Sequence, residues 1–173
     1  MNASRTLAVL ALAALAGCVQ APSTPFASSV QAAPAPAPAT PSTTQDQTAA
    51  PPLVLVHKSP TCGCCTKWIE HLRNAGFTVQ VDETDELAPI KSRLGVPEQM
   101  ASCHTAEVAG YFVEGHVPVE DIQRLLAEKP AAKGLAVPGM PMGSPGMEGP
   151  YTQPYQVMQV DAQGETTVYA HHE

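Results

Sequence analysis

Leu53-Val54-Leu55-Val56-His57-Lys58-Ser59-Pro60-Thr61-Cys62-Gly63-Cys64-Cys65-Thr66-Lys67-Trp68-Ile69-Glu70-His71-Leu72 is the stretch that decides the fold. Its first four residues form a short apolar run rich in β-branched side chains, which reads as a buried strand. Pro60 and Thr61 supply a turn and a helix N-cap. Cys65, Trp68, Ile69 and Leu72 then recur at helical spacing until Gly76 ends the helix. A strand that feeds a helix through a cysteine-bearing turn is the opening of an α/β layer.

The pattern continues outward from this unit. Phe77-Thr78-Val79-Gln80-Val81 alternates as a second strand. Asp85 is placed to cap a helix that carries Leu87, Ile90 and Leu94 on one face and ends at Gly95, with Pro89 near its first turn, where a missing donor matters least. Thr105–Val108 and Tyr111–Val113 read as a hairpin around Ala109-Gly110. Val119–Glu128 reads as a helix with Ile122, Leu125 and Leu126 inward, stopped by Pro130. The order strand, helix, strand, helix, hairpin, helix, with a Cys pair opening the first helix, resembles the thioredoxin-like architecture. A Gly-, Pro- and Met-rich loop from Pro138 to Pro154 and a last hairpin, Tyr155–Val160 with Thr166–Tyr169, lie beyond its minimal form. The expected domain covers residues 53–173.

The preceding 52 residues have another character. Arg5 is followed by an apolar run, Leu7 to Ala16, too short to span a bilayer and suited to an export signal. Leu15-Ala16-Gly17-Cys18 resembles the lipobox of bacterial lipoproteins, which implies a signal peptide over 1–17 and an acylated Cys18 as the first mature residue. An ordinary signal cleaved nearby, with Cys18 lost or left free, is the alternative. Val19 stands where Asp would hold a lipoprotein at the inner membrane, so the resemblance implies a periplasmic protein anchored to the outer membrane. Residues 18–52, dominated by Ala, Pro, Ser, Thr and Gln, cannot bury enough apolar area to offset ordering entropy. They read as a tether of roughly 100 Å at about 3.1 Å per residue.

Charge narrows the partners. Nine basic side chains face sixteen acidic ones, a formal net charge of −7, and loss of Arg5 with the signal takes it to −8. No Lys or Arg cluster exists to neutralise phosphates, which excludes nucleic acid and leaves the lipid anchor as the only expected membrane contact. A soluble cation is the easier guest.

The chemistry centres on Cys62-Gly63-Cys64-Cys65 at the start of the first helix, where backbone N–H groups favour negative charge. Thiol pKa values at such positions fall from about 8.5 to roughly 3.5–7.5. Cys62 and Cys65 have the Cys-x-x-Cys redox spacing. Cys64 argues the other way: a third sulfur would scramble a redox disulfide, whereas soft Cu(I) gains from each added thiolate. Cys103-His104 stands at the start of the third strand, and in the thioredoxin-like architecture that the chain resembles this strand end faces the first helix N-terminus, which would bring a fourth sulfur and an imidazole to the same turn. Three readings stand side by side: a metal site, a redox dithiol, and two structural disulfides. Zinc is the weaker candidate metal, since a closed tetrahedral site is hard to build from three sulfurs in one turn.

Five motifs in one order carry a family resemblance. They are Lys58-Ser59-Pro60-Thr61-Cys62-Gly63-Cys64-Cys65, Ser102-Cys103-His104-Thr105, Gly115-His116-Val117-Pro118, Gly134-Leu135-Ala136-Val137-Pro138-Gly139-Met140-Pro141 and Gly143-Ser144-Pro145-Gly146-Met147-Glu148. Together they closely resemble the CopG-type copper-resistance proteins, members of a domain family long described only as of unknown function. The resemblance implies an envelope protein of thioredoxin-like fold. Its cysteines, here Cys62, Cys64, Cys65 and Cys103, would gather several copper ions, with a role in changing copper's oxidation state and with other envelope copper-handling proteins as partners.

The remaining candidates are secondary. His104 is expected either at the metal or packed away from it, because neighbours on a strand point to opposite faces. His116 is expected as a satisfied surface histidine. His57, His71, His171 and His172 are expected in solvent, with His57 the least secure. Met140, Met142 and Met147 are candidate thioether donors from a loop folded over the site, although Met also simply fills gaps. Trp68 and Phe77 read as core.

Overall fold

The computed structural model describes residues 51–173. The expected signal, Cys18 and most of the tether lie outside them. Among the described residues no helix is long and apolar enough to cross a membrane.

The chain forms β1 (Val54–Lys58), α1 (Gly63–Asn74), β2 (Val79–Glu83), α2 (Leu87–Leu94), a 3₁₀ turn at Glu98–Met100, β3 (His104–Val108), β4 (Tyr111–Glu114), α3 (Val119–Glu128), β5 (Ala132–Ala136), β6 (Tyr155–Asp161) and β7 (Thr166–His172). All seven strands join one sheet in the order β2-β1-β3-β4-β5-β6-β7. β1 pairs in parallel with β2 and antiparallel with β3, and β3 pairs antiparallel with β4. The α/β layer class is as the sequence predicts, and the elements through α3 follow the expected order.

The core forms where the apolar periodicities converge. Val54 and Val56 of β1, Trp68, Ile69 and Leu72 of α1, and Ile122 and Leu125 of α3 are buried together with Val113 and Leu135. Each fully buried aliphatic side chain contributes about 1.5–3 kcal/mol relative to exposure. The indole N–H of Trp68 donates to the Val117 carbonyl at 2.9 Å, so this large side chain buries no unpaired polar atom.

Several local expectations are corrected. Cys62, not Thr61, caps α1: its sulfur accepts from the Cys65 N–H at 3.4 Å. Asp85 does not cap α2 but accepts a hydrogen bond from the Ser59 hydroxyl at 2.7 Å. β2 lies two residues later than its apolar pattern suggests, because it is an edge strand whose faces are largely exposed. Phe77, just before it, is nonetheless buried. β5, a strand beyond the expected element order, pairs in parallel with β4 and carries the sheet on to the C-terminal hairpin. That hairpin is clamped to α3 by His172 with Asp121 at 2.7 Å and by Arg124 stacked 3.9 Å above the Tyr169 ring.

Candidate metal centre

Three elements build the site. The first turn of α1 presents Cys62, Cys64 and Cys65, the segment entering β3 presents Cys103, and the segment after β4 presents His116. One sulfur from each of Cys62, Cys64, Cys65 and Cys103 lies within 4.8 Å of the others. Cys62 and Cys65 are joined as a disulfide with their Cα atoms 5.4 Å apart, while Cys64 and Cys103 are free thiols. The Cys62 and Cys64 sulfurs are 3.5 Å apart, as are those of Cys65 and Cys103.

The antiparallel pairing of β1 with β3 explains this convergence. Lys58, the last residue of β1, lies opposite His104, the first residue of β3, so the turn leaving one strand meets the segment entering the other.

A second donor set shares Cys103. Its sulfur lies 3.3 Å from His104 Nδ1 and 3.1 Å from His116 Nε2. Cys103 precedes β3 and is not part of it, so strand alternation does not separate it from His104. His116 is wholly buried and not a surface histidine, and its Nδ1 pairs with the Pro145 carbonyl at 2.8 Å. That bond leaves Nε2 directed at sulfur. His104 is also wholly buried, packed against Trp68 with ring centres 4.4 Å apart, and its Nε2 has no hydrogen-bond partner.

Burial dominates the electrostatics. It pushes the Cys103 thiol up to about 12, with the neighbouring Cys64 adding to the shift. The lowered thiol pKa expected at the helix start therefore does not extend to Cys103. Burial also holds both imidazoles below the ordinary histidine range; for His104 the nearby His116, Lys91 and Lys58 add to the effect. Neutral imidazoles can act as ligands.

A buried polar network fixes the Cys103 segment from behind. The Glu114 carboxylate, fully buried, accepts from the Ser102 N–H and from the Thr105 hydroxyl, each at 2.6 Å, and pairs with Lys91. Ser102 and Thr105 bracket Cys103-His104, so one carboxylate holds both ends of the dipeptide.

The long loop straps the other side. Gly146 has φ +85°, and a Cβ there would lie 2.7 Å from the Cys64 carbonyl oxygen and 2.8 Å from the Trp68 nitrogen. The loop thus rests on the first turns of α1 while Pro145 holds His116. Met142 and Met147 are half-buried and Met140 is exposed. The other histidines divide. His57 is buried, contrary to expectation, because Asp82 at 2.8 Å and Glu107 at 3.0 Å satisfy its two nitrogens from the adjacent strands. His172 is half-buried against Asp121, whereas His71 and His171 are exposed.

Soft thiolates suit Cu(I), and adjacent imidazoles suit either oxidation state. The donor set therefore fits copper once the Cys62–Cys65 disulfide is reduced. Comparison with solved structures points the same way. Two structures titled "Copper resistance protein copG", Form 1 and Form 2, are each 47% identical to this chain, which covers 98% and 99% of them, with TM-scores of 0.67 and 0.68. The chain belongs to the CopG copper-resistance family. The CopG matches extend over 70% and 71% of the chain. Residues 100–147 also match the family described as "Protein of unknown function, DUF411", a span that holds Cys103, His104, Glu114, His116 and Gly146 of this CopG-type site. No curated protein matches the chain.

Proposed function

We propose that this chain is an envelope protein of copper resistance that binds Cu(I) through Cys62, Cys64, Cys65 and Cys103 and interconverts Cu(I) and Cu(II). The observation that carries the reading is the meeting of four sulfurs within 4.8 Å, one of them brought from a segment distant in sequence. Each thiolate added to a soft-metal site favours Cu(I) over harder cations. His116 and His104 extend the site with nitrogen donors next to Cys103. Cys18 would anchor the domain to the outer membrane through its acyl chains, with residues 19–52 as spacer, and labelled fatty acid incorporated into the wild type but not into Cys18→Ser would support that placement.

Metal content of the purified chain, wild type beside Cys64→Ser and Cys103→Ser, tests the binding reading. Copper bound by the wild type and lost from both variants supports it; zinc in its place or no metal contradicts it. One observation favours a second reading, a thiol-disulfide oxidoreductase acting on exported proteins: Cys62 and Cys65 are already paired. That reading requires turnover of a protein disulfide to survive Cys64→Ser.

A further inference from the structure

We propose that the buried ammonium of Lys58 sets the oxidation-state preference of this centre, acting as a fixed positive charge beside the copper ligands that favours Cu(I) over Cu(II). The inference rests on the copper-binding reading above and adds to it a residue that is not itself a ligand.

Strand alternation fixes where Lys58 stands. Val54 and Val56 of β1 are buried in the core with Trp68, Ile69 and Leu72 of α1, and the two-residue period of the strand puts Lys58 on the same face. Lys58 lies directly opposite His104 across the β1–β3 pair, so the two side chains are neighbours on that face. His104 packs against Trp68, and its Nδ1 lies 3.3 Å from the Cys103 sulfur. Thr66 of α1 lines the same cavity as Lys58, and its hydroxyl donates to the Cys62 carbonyl at 3.2 Å. Lys58 thus borders both segments that carry the cysteines.

The charge is costly in this position. The side chain is 3% exposed, and its one carboxylate partner among the described residues is Glu83, at 3.2 Å and 56% exposed. An apolar side chain would close the end of the strand without desolvating an ion. Water screens the Glu83 carboxylate but not the ammonium, so the pair leaves a net positive field on its buried side. Lys91 is also close to the site, but it is accompanied by a wholly buried counter-ion, Glu114, and Lys58 has none. The field of Lys58 reaches the ligands: it adds to burial, His116 and Lys91 in holding the His104 imidazole below the ordinary range.

A fixed positive charge raises the energy of a divalent ion more than that of a monovalent ion in the same place. For the couple Cu(II) + e⁻ → Cu(I) at one set of ligands, Lys58 therefore shifts the balance towards Cu(I).

The test uses the full chain, reduced without oxygen and loaded with Cu(I) alone, with the Cu(II)/Cu(I) midpoint potential read by mediated redox titration. Lys58→Met should move the balance towards Cu(II) about tenfold, a fall of about 59 mV for a one-electron couple. Lys58→Arg, which keeps the charge, should stay near the wild type. Lys58→Met/Glu83→Gln strands no carboxylate and should fall as the single variant does; it carries the same comparison if Lys58→Met does not fold. An unchanged or raised potential without the ammonium, a fall in Lys58→Arg as large as in Lys58→Met, or a wild-type value in the double variant would overturn the inference. The Cu(I) loading step tells the two failures apart. Copper retained by the wild type with no fall in the variants overturns the role of Lys58 alone, whereas failure of the wild type to retain Cu(I) overturns the binding reading and this inference with it.

Discussion

His116 Nε2 stands 3.1 Å from the sulfur of Cys103, and the Pro145 carbonyl fixes the ring by pairing with its other nitrogen. A loop far along the chain therefore sets the orientation of a nitrogen donor at the sulfur cluster. Partners that orient ligands in this way typically cost about 10–100-fold in metal affinity when removed. His116→Ala removes the oriented donor itself and should weaken Cu(I) retention by at least that factor in competition with a chelator, while the folded content read by circular dichroism stays near wild type.

The Glu114–Lys91 pair gives a prediction about stability. Removing one partner of a buried ion pair strands the other charge and costs about 3–5 kcal/mol. Lys91→Met leaves the wholly buried Glu114 without its cation, with only the Ser102 and Thr105 donors remaining, and should lower the denaturation free energy by up to that amount in a urea titration. Replacing both residues by apolar ones should recover part of the loss.

Gly146→Ala should loosen the strap. The added Cβ would strike backbone atoms of α1, and the positive φ disfavours any side chain. A cost of about 1–3 kcal/mol is expected. Thermal unfolding should shift down, and the loop should become more sensitive to protease than in the wild type.

Acid should destabilise the apo fold before its carboxylates titrate. His104 and His116 have pKa values lowered in the folded state, so below the ordinary histidine value of 6.5 the unfolded chain binds protons that the folded chain does not. Their contribution is fully present above 6.5 and is lost as pH falls towards the lowered folded values. Each histidine adds at most about 1.4 kcal/mol per pH unit to the slope. Urea midpoints between pH 7 and pH 5 should fall with decreasing pH, and His116→Asn should flatten the decline.

Much of this arrangement is legible in the sequence. The Cys-x-Cys-Cys turn, the helical face of Trp68, Ile69 and Leu72, and the limits of α3 follow from spacing alone. The convergence of Cys103 on the first turn is legible only through the resemblance to the thioredoxin-like architecture, and the antiparallel pairing of β1 with β3 supplies its physical reason. His116 was hidden because its burial depends on a loop partner 29 residues away, which no local pattern encodes. His57 was hidden for a similar reason: its two carboxylates come from neighbouring strands. β5 is not legible in the sequence because Ala132–Ala136 contains Gly134 and lacks the β-branched run that marks β1. The Gly146 signal was present in the sequence as a motif, but only the packing against Cys64 and Trp68 gives it a physical reason.

The central claim is that four sulfurs act together on Cu(I), and the most direct measurement is a competition titration. The chain, fully reduced without oxygen, is given Cu(I) against a chelator of known affinity. The account predicts at least one tightly held equivalent per chain in the wild type, with retention sharply reduced in both Cys64→Ser and Cys103→Ser. Less than one tight equivalent in the wild type, or undiminished binding in both variants, would contradict it.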